Sequence, residues 1–310
     1  MSVYTSLCHA EIESILSAYQ LTPLIHYSGI SAGIENTNYL LQTAQGDFVL
    51  TLYEHLKASE VMPYLDLLVQ LGLHESYYPA PLADTRHEYL QITAAKPAAL
   101  FKCLPGKSVQ QATRHQLQSV ATALGRFHLH SAQMAFSNKN PRNIAWIQDV
   151  AKQVSPYLSV EDAQLLQAEL QYQLQHSIQH LPRGIIHADL FKDNVLFVEE
   201  HLTGMLDFYA ACHDCYLLDI AITLNDWCVD ARGLYDHQRQ VDFISAYQQH
   251  RVITYVEQKL LPALLRRACL RFWLSRVEHK LNPREGEITQ EKDPQFFKNL
   301  LLQHRQCYAY

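Results

Sequence analysis

The most constraining feature of this chain is a pair of acidic loops held between apolar runs. The first is Gly184-Ile-Ile-His187-Ala-Asp189-Leu-Phe-Lys-Asp193-Asn194-Val-Leu-Phe-Val198, and the second follows as Leu202-Thr-Gly-Met-Leu-Asp207-Phe-Tyr209. Ile185-Ile186 and Val195 to Val198 read as short buried strands. Strands at both ends of a polar loop hold its side chains in one geometry, which a carboxylate needs before it can do chemistry.

The residue types match one reaction class. Phosphoryl transfer from ATP asks a protein for in-line positioning, for metal ions that neutralise charge, and for an acceptor of the substrate's hydroxyl proton. Asp189 can orient and deprotonate an attacking hydroxyl, while Asn194 and Asp207 supply the hard oxygen ligands that Mg2+ prefers. His187 is expected to hold the loop by hydrogen bonds without itself reacting. An Asp with an Asn five positions on, followed by a second Asp on the next strand, is the catalytic-loop spacing of kinases.

Around this core, the pattern divides the chain. Ile12, Ile15, Leu16 and Tyr19 repeat at helical spacing within residues 11 to 21. Asn38 to Thr43 and Phe48 to Tyr53 flank Gln45-Gly46-Asp47 and read as a hairpin with a glycine-bearing turn. Gly29 to Asn38 is small and polar and reads as a loop between strands, Ser59 to Leu73 as a helix, and 89 to 93 and 98 to 104 as further strands. After Pro105-Gly106 the character changes to long helical patterns near 111 to 130, 160 to 180, 235 to 250, 255 to 281 and 294 to 305. The expected architecture is therefore α+β. A strand-rich lobe of residues 1–104 meets a helix-rich lobe of residues 105–310 through a linker near Phe101 to Gly106, and small ligands usually sit in such clefts.

Composition excludes several alternatives. No apolar run approaches the roughly 18 residues of a membrane helix, and Met1 to Ser6 has no basic start followed by an apolar core, so no membrane partner and a cytoplasmic address are expected. Seven cysteines without regular spacing fit reduced thiols. A net charge of −6 leaves no footprint for nucleic acid, so a phosphate-bearing ligand must be met locally by a metal ion or a few positioned donors. Cys212-His213-Asp214-Cys215 has a metal and thiol-exchange spacing, but no second cysteine pair completes a zinc site. The dispersed histidines, His128 and His130 included, read as surface or packing groups.

The loop motifs resemble the aminoglycoside-phosphotransferase and choline-kinase superfamily, which shares the two-lobed protein-kinase-like fold, with a small antiparallel-sheet N-lobe and a larger helical C-lobe. A narrower likeness lies in Gly33-Ile-Glu-Asn-Thr-Asn38-Tyr, Val49-Leu-Thr-Leu-Tyr-Glu54, His187 to Asn194 and Asp207-Phe-Tyr-Ala-Ala-Cys212. It continues through Asp219-Ile-Ala-Ile-Thr-Leu-Asn225-Asp-Trp227-Cys228 and Leu270 to Arg276, and these segments resemble the homoserine kinases of that superfamily.

The resemblance implies ATP, Mg2+ and phosphorylation of L-homoserine to O-phospho-L-homoserine, the precursor of threonine. It makes Asp189 the base, Asn194 and Asp207 the metal ligands, and Ser31, Gly33, Glu35, Asn36, Thr37 and Asn38 the loop over the nucleotide phosphates. Two other readings stay open: a kinase for choline, ethanolamine, hydroxylysine, an aminoglycoside or a sugar, and a non-catalytic ATP-binding module. The third arises because Thr51 stands where related kinases carry a phosphate-pairing lysine, for which Lys57 is a substitute. A zwitterionic acceptor needs an arginine for its carboxylate, Arg271 or Arg276, and an acidic residue for its ammonium, Asp214 or Asp226. Oligomeric state is left open.

Overall fold

The computed structural model describes residues 4–30, 36–282 and 293–307. They form two compact units, one ending at Pro105 and the other beginning at Gly106.

The first unit is built on alternation. Helix α1 (His9–Ala18) precedes strands β1 (Leu24–Gly29), β2 (Thr37–Thr43) and β3 (Gly46–Leu52); helix α2 (Ala58–Gly72) follows, then β4 (Gln91–Thr93) and β5 (Lys96–Lys102). The strands make one antiparallel sheet in the order β1-β2-β3-β5-β4. Thr37, Tyr39, Leu41 and Thr43 of β2 are buried and the residues between them less so, the period of a sheet with one covered face. Tyr39, Leu41, Phe48, Leu50 and Leu100 join Ile12 and Leu16 of α1 in one apolar core. The expected hairpin forms, with Thr43 opposite Gly46, so Gly46 is the first residue of β3 instead of the middle of the turn. Its φ of +128 is open to glycine and strained for other residues.

The second unit is mostly helical. In order it contains α3 (Arg114–Ser131), α4 (Ile144–Val154), α5 (Val160–Gln175), β6 (Arg183–Ile186), β7 (Val195–Val198), β8 (His201–Met205), β9 (Cys212–Cys215), α6 (Tyr216–Trp227), α7 (His237–Tyr247), α8 (Tyr255–Leu281) and α9 (Gln295–Cys307). Sequence periodicity misses α4 and α6. In α6 eleven of twelve residues are buried, so the helix has no polar stripe to reveal its period. Side-chain caps set several helix starts: Thr113 accepts from Gln116 N before α3, and Thr254 from Glu257 N before α8.

Helix α8 packs against α4, α5, α6 and α9, and it carries three buried arginines. Arg266 is matched by Glu169 of α5 through Nε at 3.0 Å and Nη2 at 2.5 Å, and Arg267 donates to Gln173 Oε1 at 2.8 Å. Burying a guanidinium is costly unless its donors are met, and the fold meets these two with α5. The third, Arg271, turns toward the acidic loop.

Two small antiparallel pairs, β6-β9 and β7-β8, bracket that loop. Gly184 in β6 lies against the ring of Tyr216, and a Cβ there would stand 1.9 Å from the tyrosine hydroxyl oxygen. Gly184→Ala must push the ring or the strand aside, so it is expected to lower stability by about 1–3 kcal/mol. A denaturant midpoint equal to the parent's would show that the contact relaxes freely.

Candidate active site

The strand–loop–strand sequence puts His187, Asp189 and Asn194 in one tight turn. β6 ends at Ile186, Ala188 takes the left-handed conformation with φ 64, and a short 3-10 turn, Lys192–Asn194, leads into β7. A left-handed alanine costs conformational energy, so something must hold it.

Asp219 of α6 does so. Its Oδ2 accepts from His187 N and its Oδ1 from Ala188 N, both at 2.7 Å, and Nε2 of His128 on α3 is 3.0 Å from Oδ2. On the other side of the turn, Arg271 Nη1 donates to Ala188 O at 3.0 Å. Both Asp219 and His128 are fully buried. Burial would raise the Asp219 pKa, but hydrogen bonds from His128 and the loop outweigh it and hold the carboxyl below its usual range.

Both ring nitrogens of His187 are hydrogen-bonded to the backbone on either side of it. Nδ1 lies 3.3 Å from Asp189 N and accepts from it, while Nε2 lies 2.8 Å from Leu206 O and must carry the proton. Burial lowers its pKa, which keeps it in this neutral tautomer. The same tautomer logic extends from Asp219. His128 Nδ1 meets the Tyr247 hydroxyl at 2.7 Å, and that hydroxyl in turn lies 3.3 Å from Arg251 Nη1. Arg251 is itself paired with the buried Glu257.

Asp189 and Asn194 meet directly, and the backbone brings the residue before Asp207 against Asn194. Asn194 Nδ2 donates to Asp189 O at 2.8 Å and lies 3.4 Å from Asp189 Oδ2. Leu206 N donates to Asn194 O at 2.8 Å, which ties the residue before Asp207 to the residue beside Asp189. Asp207 is left-handed, φ 62 and ψ 57, and exposed, whereas the next residue, Phe208, is buried with its ring 4.6 Å from that of His187. The left-handed twist thus separates a carboxylate facing outward from an aromatic anchor.

The remaining sites assigned from sequence fall in different places. Asn36 leads into β2, whose first residues are Thr37, which donates to Glu54 at 2.6 Å, and Asn38, whose Oδ1 accepts from Thr51 Oγ1 at 2.7 Å. Ser31, Gly33 and Glu35 lie outside the described residues. Lys57 is exposed at the start of α2, whereas a lysine that sequence reasoning passed over, Lys96 of β5, pairs with Glu54 at 2.6 Å. Helix α2 and strand β4 separate Lys96 from Glu54 in sequence, so only the pairing of β3 with β5 brings the two together.

Asp214 is not available to an ammonium group, which corrects the expectation for it. It is buried, and its oxygens accept from Arg183 Nη2 at 2.7 Å, Asn140 Nδ2 at 2.8 Å and Cys215 N at 2.7 Å. Asp226 accepts Lys192 N at 2.7 Å and stays partly open, with 21% of its side chain exposed. Arg276 donates to Asp293 O at 2.8 Å and lies 4.5 Å over the Phe297 ring. Cys212 and Cys215 are buried, and burial pushes both thiols up to about 12, which removes the thiolate that metal binding or exchange needs.

The phosphotransferase enzyme family (APH) matches residues 26–253. The chain is 38% identical to the homoserine kinase of Methylobacillus flagellatus over 301 residues, covering 97% of this chain and 94% of that one. It is 38% identical to the homoserine kinase of Neisseria meningitidis serogroup B over 302 residues, covering 97% and 99%. Among solved structures it resembles spectinomycin phosphotransferase APH(9)-Ia in complex with ADP and spectinomycin (TM-score 0.72, 11% identity, 96% of this chain and 98% of that one). It also resembles amicoumacin kinase hAmiN in complex with AMP-PNP, Ca2+ and Ami (TM-score 0.70, 15% identity, 95% and 91%). The fold is that of the kinase-like phosphotransferases, and the chain belongs to the phosphotransferase enzyme family. Within it, homoserine kinases match the chain at 38–39% identity over 97% of its length.

Two predictions follow from the loop's anchoring. Asp219→Asn turns an acceptor toward backbone N–H groups into a donor, and a buried unsatisfied group costs about 1–3 kcal/mol. Turnover should fall by roughly 10- to 100-fold with little change in nucleotide affinity. A variant with parental kcat would show that the loop holds its shape without the carboxylate. The second concerns pH. His128, His187 and His304 all have folded pKa values lowered by burial, the last to about 3, below the ordinary 6.5. Below 6.5 the unfolded chain takes up protons that the folded protein refuses, so stability must decline on acidification, by up to about 1.4 kcal/mol per pH unit for each histidine. Unfolding free energies that are level between pH 7.5 and 5.5 would contradict this.

Proposed function

We propose that the chain is an ATP-dependent homoserine kinase that converts L-homoserine into O-phospho-L-homoserine, the step that commits this amino alcohol to threonine biosynthesis. The observation that carries the reading is the joining of Asp189 and Asn194 across one pinned turn, in a chain 35–39% identical to homoserine kinases over almost its whole length.

In the mechanism, Asp189 orients the acceptor hydroxyl and takes its proton as the oxygen attacks the γ-phosphorus of ATP; the bond to the β,γ-bridging oxygen breaks and ADP leaves. His187 keeps Asp189 in place through the backbone. Asn194 and Asp207 would hold Mg2+. An amide oxygen and a carboxylate are hard donors, and two protein ligands leave positions for phosphate oxygens, as this ion prefers. Held by these two residues, Mg2+ would supply the positive charge that offsets the phosphates, which a protein of net charge −6 otherwise repels.

We assign residues 1–104 to nucleotide binding and residues 105–310 to catalysis and acceptor binding, with Ser31 to Asn38 over the phosphates. Lys96, already paired with Glu54, is better placed than Lys57 to stand in for the lysine missing at Thr51. Asp226, partly exposed although 3.8 Å from Lys192 Nζ, is the acidic group assigned to the acceptor's ammonium. A cytoplasmic address fits seven unpaired cysteines, and among the described residues no helix is long and apolar enough to cross a membrane.

The experiment is an acceptor screen for ADP release across L-homoserine, choline, ethanolamine, hydroxylysine and aminoglycosides, with Asp189→Ala alongside. Homoserine should be the preferred acceptor, chelation of Mg2+ should stop turnover, and Asp189→Ala should lose at least about 100-fold in kcat while still binding ATP. Activity on choline with none on homoserine would defeat the assignment.

A further inference from the structure

Two of the three buried guanidinium groups on α8 are met by side chains of α5: Arg266 by the Glu169 carboxylate and Arg267 by the Gln173 amide oxygen. Beside the catalytic turn the pattern breaks. Arg271 is 3% exposed at the middle of α8, and its Nη1 donates to a backbone carbonyl, Ala188 O, rather than to an anion. Its Nε is buried with no hydrogen-bond partner, and its guanidinium lies 4.6 Å over the Phe272 ring.

A second cation stands in the same neighbourhood. Arg142 comes from the segment that enters α4, where its backbone N donates to Asn140 Oδ1 and Asn143 caps the helix. Asn140 is fixed in turn by Asp214 of β9, and α4 packs directly on α8. The Arg142 guanidinium lies 6.0 Å over the Trp146 ring and is half-buried. After burial itself, Arg142 is the strongest influence lowering the Arg271 pKa, to about 10, with Asp189 acting the other way. Among the described residues, neither arginine forms an ion pair with a carboxylate.

Two guanidinium groups that repel each other, one buried on α8 and one half-buried at the start of the helix packed on it, are an unfavourable arrangement that an incoming anion relieves. Anchoring the loop explains one bond of Arg271, but not why Arg142 is brought up beside it. The position has chemical meaning as well. Arg271 holds the residue immediately before Asp189, so an anion met there sits a short reach from the carboxylate that takes the hydroxyl proton. Homoserine, with its hydroxyl and its carboxylate on one four-carbon chain, has that short reach.

We propose that Arg142, with Arg271 behind it, binds the carboxylate of the acceptor and so sets the enzyme's preference for an amino acid over a simple amino alcohol. This rests on the homoserine reading for the identity of the anion. Arg142 reaches the ligand from the half-buried side, and Arg271 adds charge from the core.

The test compares L-homoserine with 3-amino-1-propanol, which is homoserine without its carboxylate, on the wild type, Arg142→Met and Arg142→Lys. Methionine keeps an apolar stem against Trp146 and removes the charge, and it avoids disturbing the buried Arg271. In the wild type, kcat/KM should favour homoserine by at least about 100-fold. Arg142→Met should raise the homoserine KM by roughly 30-fold or more, change the ATP KM less than twofold, and lose less than threefold on aminopropanol, with Arg142→Lys intermediate. Equal losses on both acceptors, or a homoserine KM within twofold of wild type, would overturn the arginine assignment alone. A wild type inert to homoserine would overturn the functional reading, and the assignment with it.

Discussion

The acidic loop of the second unit depends on one buried carboxylate. Asp219 takes the N–H groups of two consecutive residues, His187 and Ala188, at 2.7 Å each, and without that pair of bonds Ala188 has no reason to remain left-handed. The left-handed turn is what brings Asp189 back toward Asn194. The carboxylate is stabilised from behind by His128, and His128 by Tyr247, so a donor chain crosses the core from α7 through α3 to the loop. Every link donates toward Asp219, a charge-assisted order in which each hydrogen bond polarises the next.

A rigid loop suits the chemistry proposed for it. Phosphoryl transfer gains mainly from position and from pre-aimed charge, and little from covalent help. Asp189 is held through its backbone N by His187, through its carbonyl by Asn194, and through the preceding carbonyl by Arg271. Its carboxylate is left partly exposed, as a group that must meet a substrate has to be. The same division recurs at Asp207, where an exposed carboxylate precedes a buried Phe208.

Charge is distributed by the same rule. Where an arginine of α8 serves only the core, an acid or amide from α5 meets its donors, as with Arg266 and Arg267. Where the helix passes the Ala188 turn, Arg271 is left with one backbone carbonyl and the repulsion of a second cation. The proposed acceptor carboxylate would complete there what glutamate completes elsewhere. Asp214, by contrast, is already spent on Arg183 and Asn140, and the arginine that the sequence did not single out, Arg142, is placed by that network.

Much of this was legible before any coordinates. The antiparallel strands of the first unit, the ends of α8 at Tyr255 and Leu281, and the trio Asp189, Asn194 and Asp207 follow from alternation, helical period and motif spacing, all local in the chain. Helix α6 was hidden because burial on every side erases its period, and α4 also went unread. In sequence, His128 reads as a surface or packing histidine, Lys96 draws no notice while Lys57 does, and Asp214 reads as a candidate for an ammonium, because their roles are set by partners 91, 42 and 74 residues away. The sequence alone determined which chemistry the chain can perform, since residue type and spacing carry that. Which buried charges are neutralised and which are left for a ligand was decided only by tertiary packing, because electrostatic energy depends on distance through space and on exclusion of water.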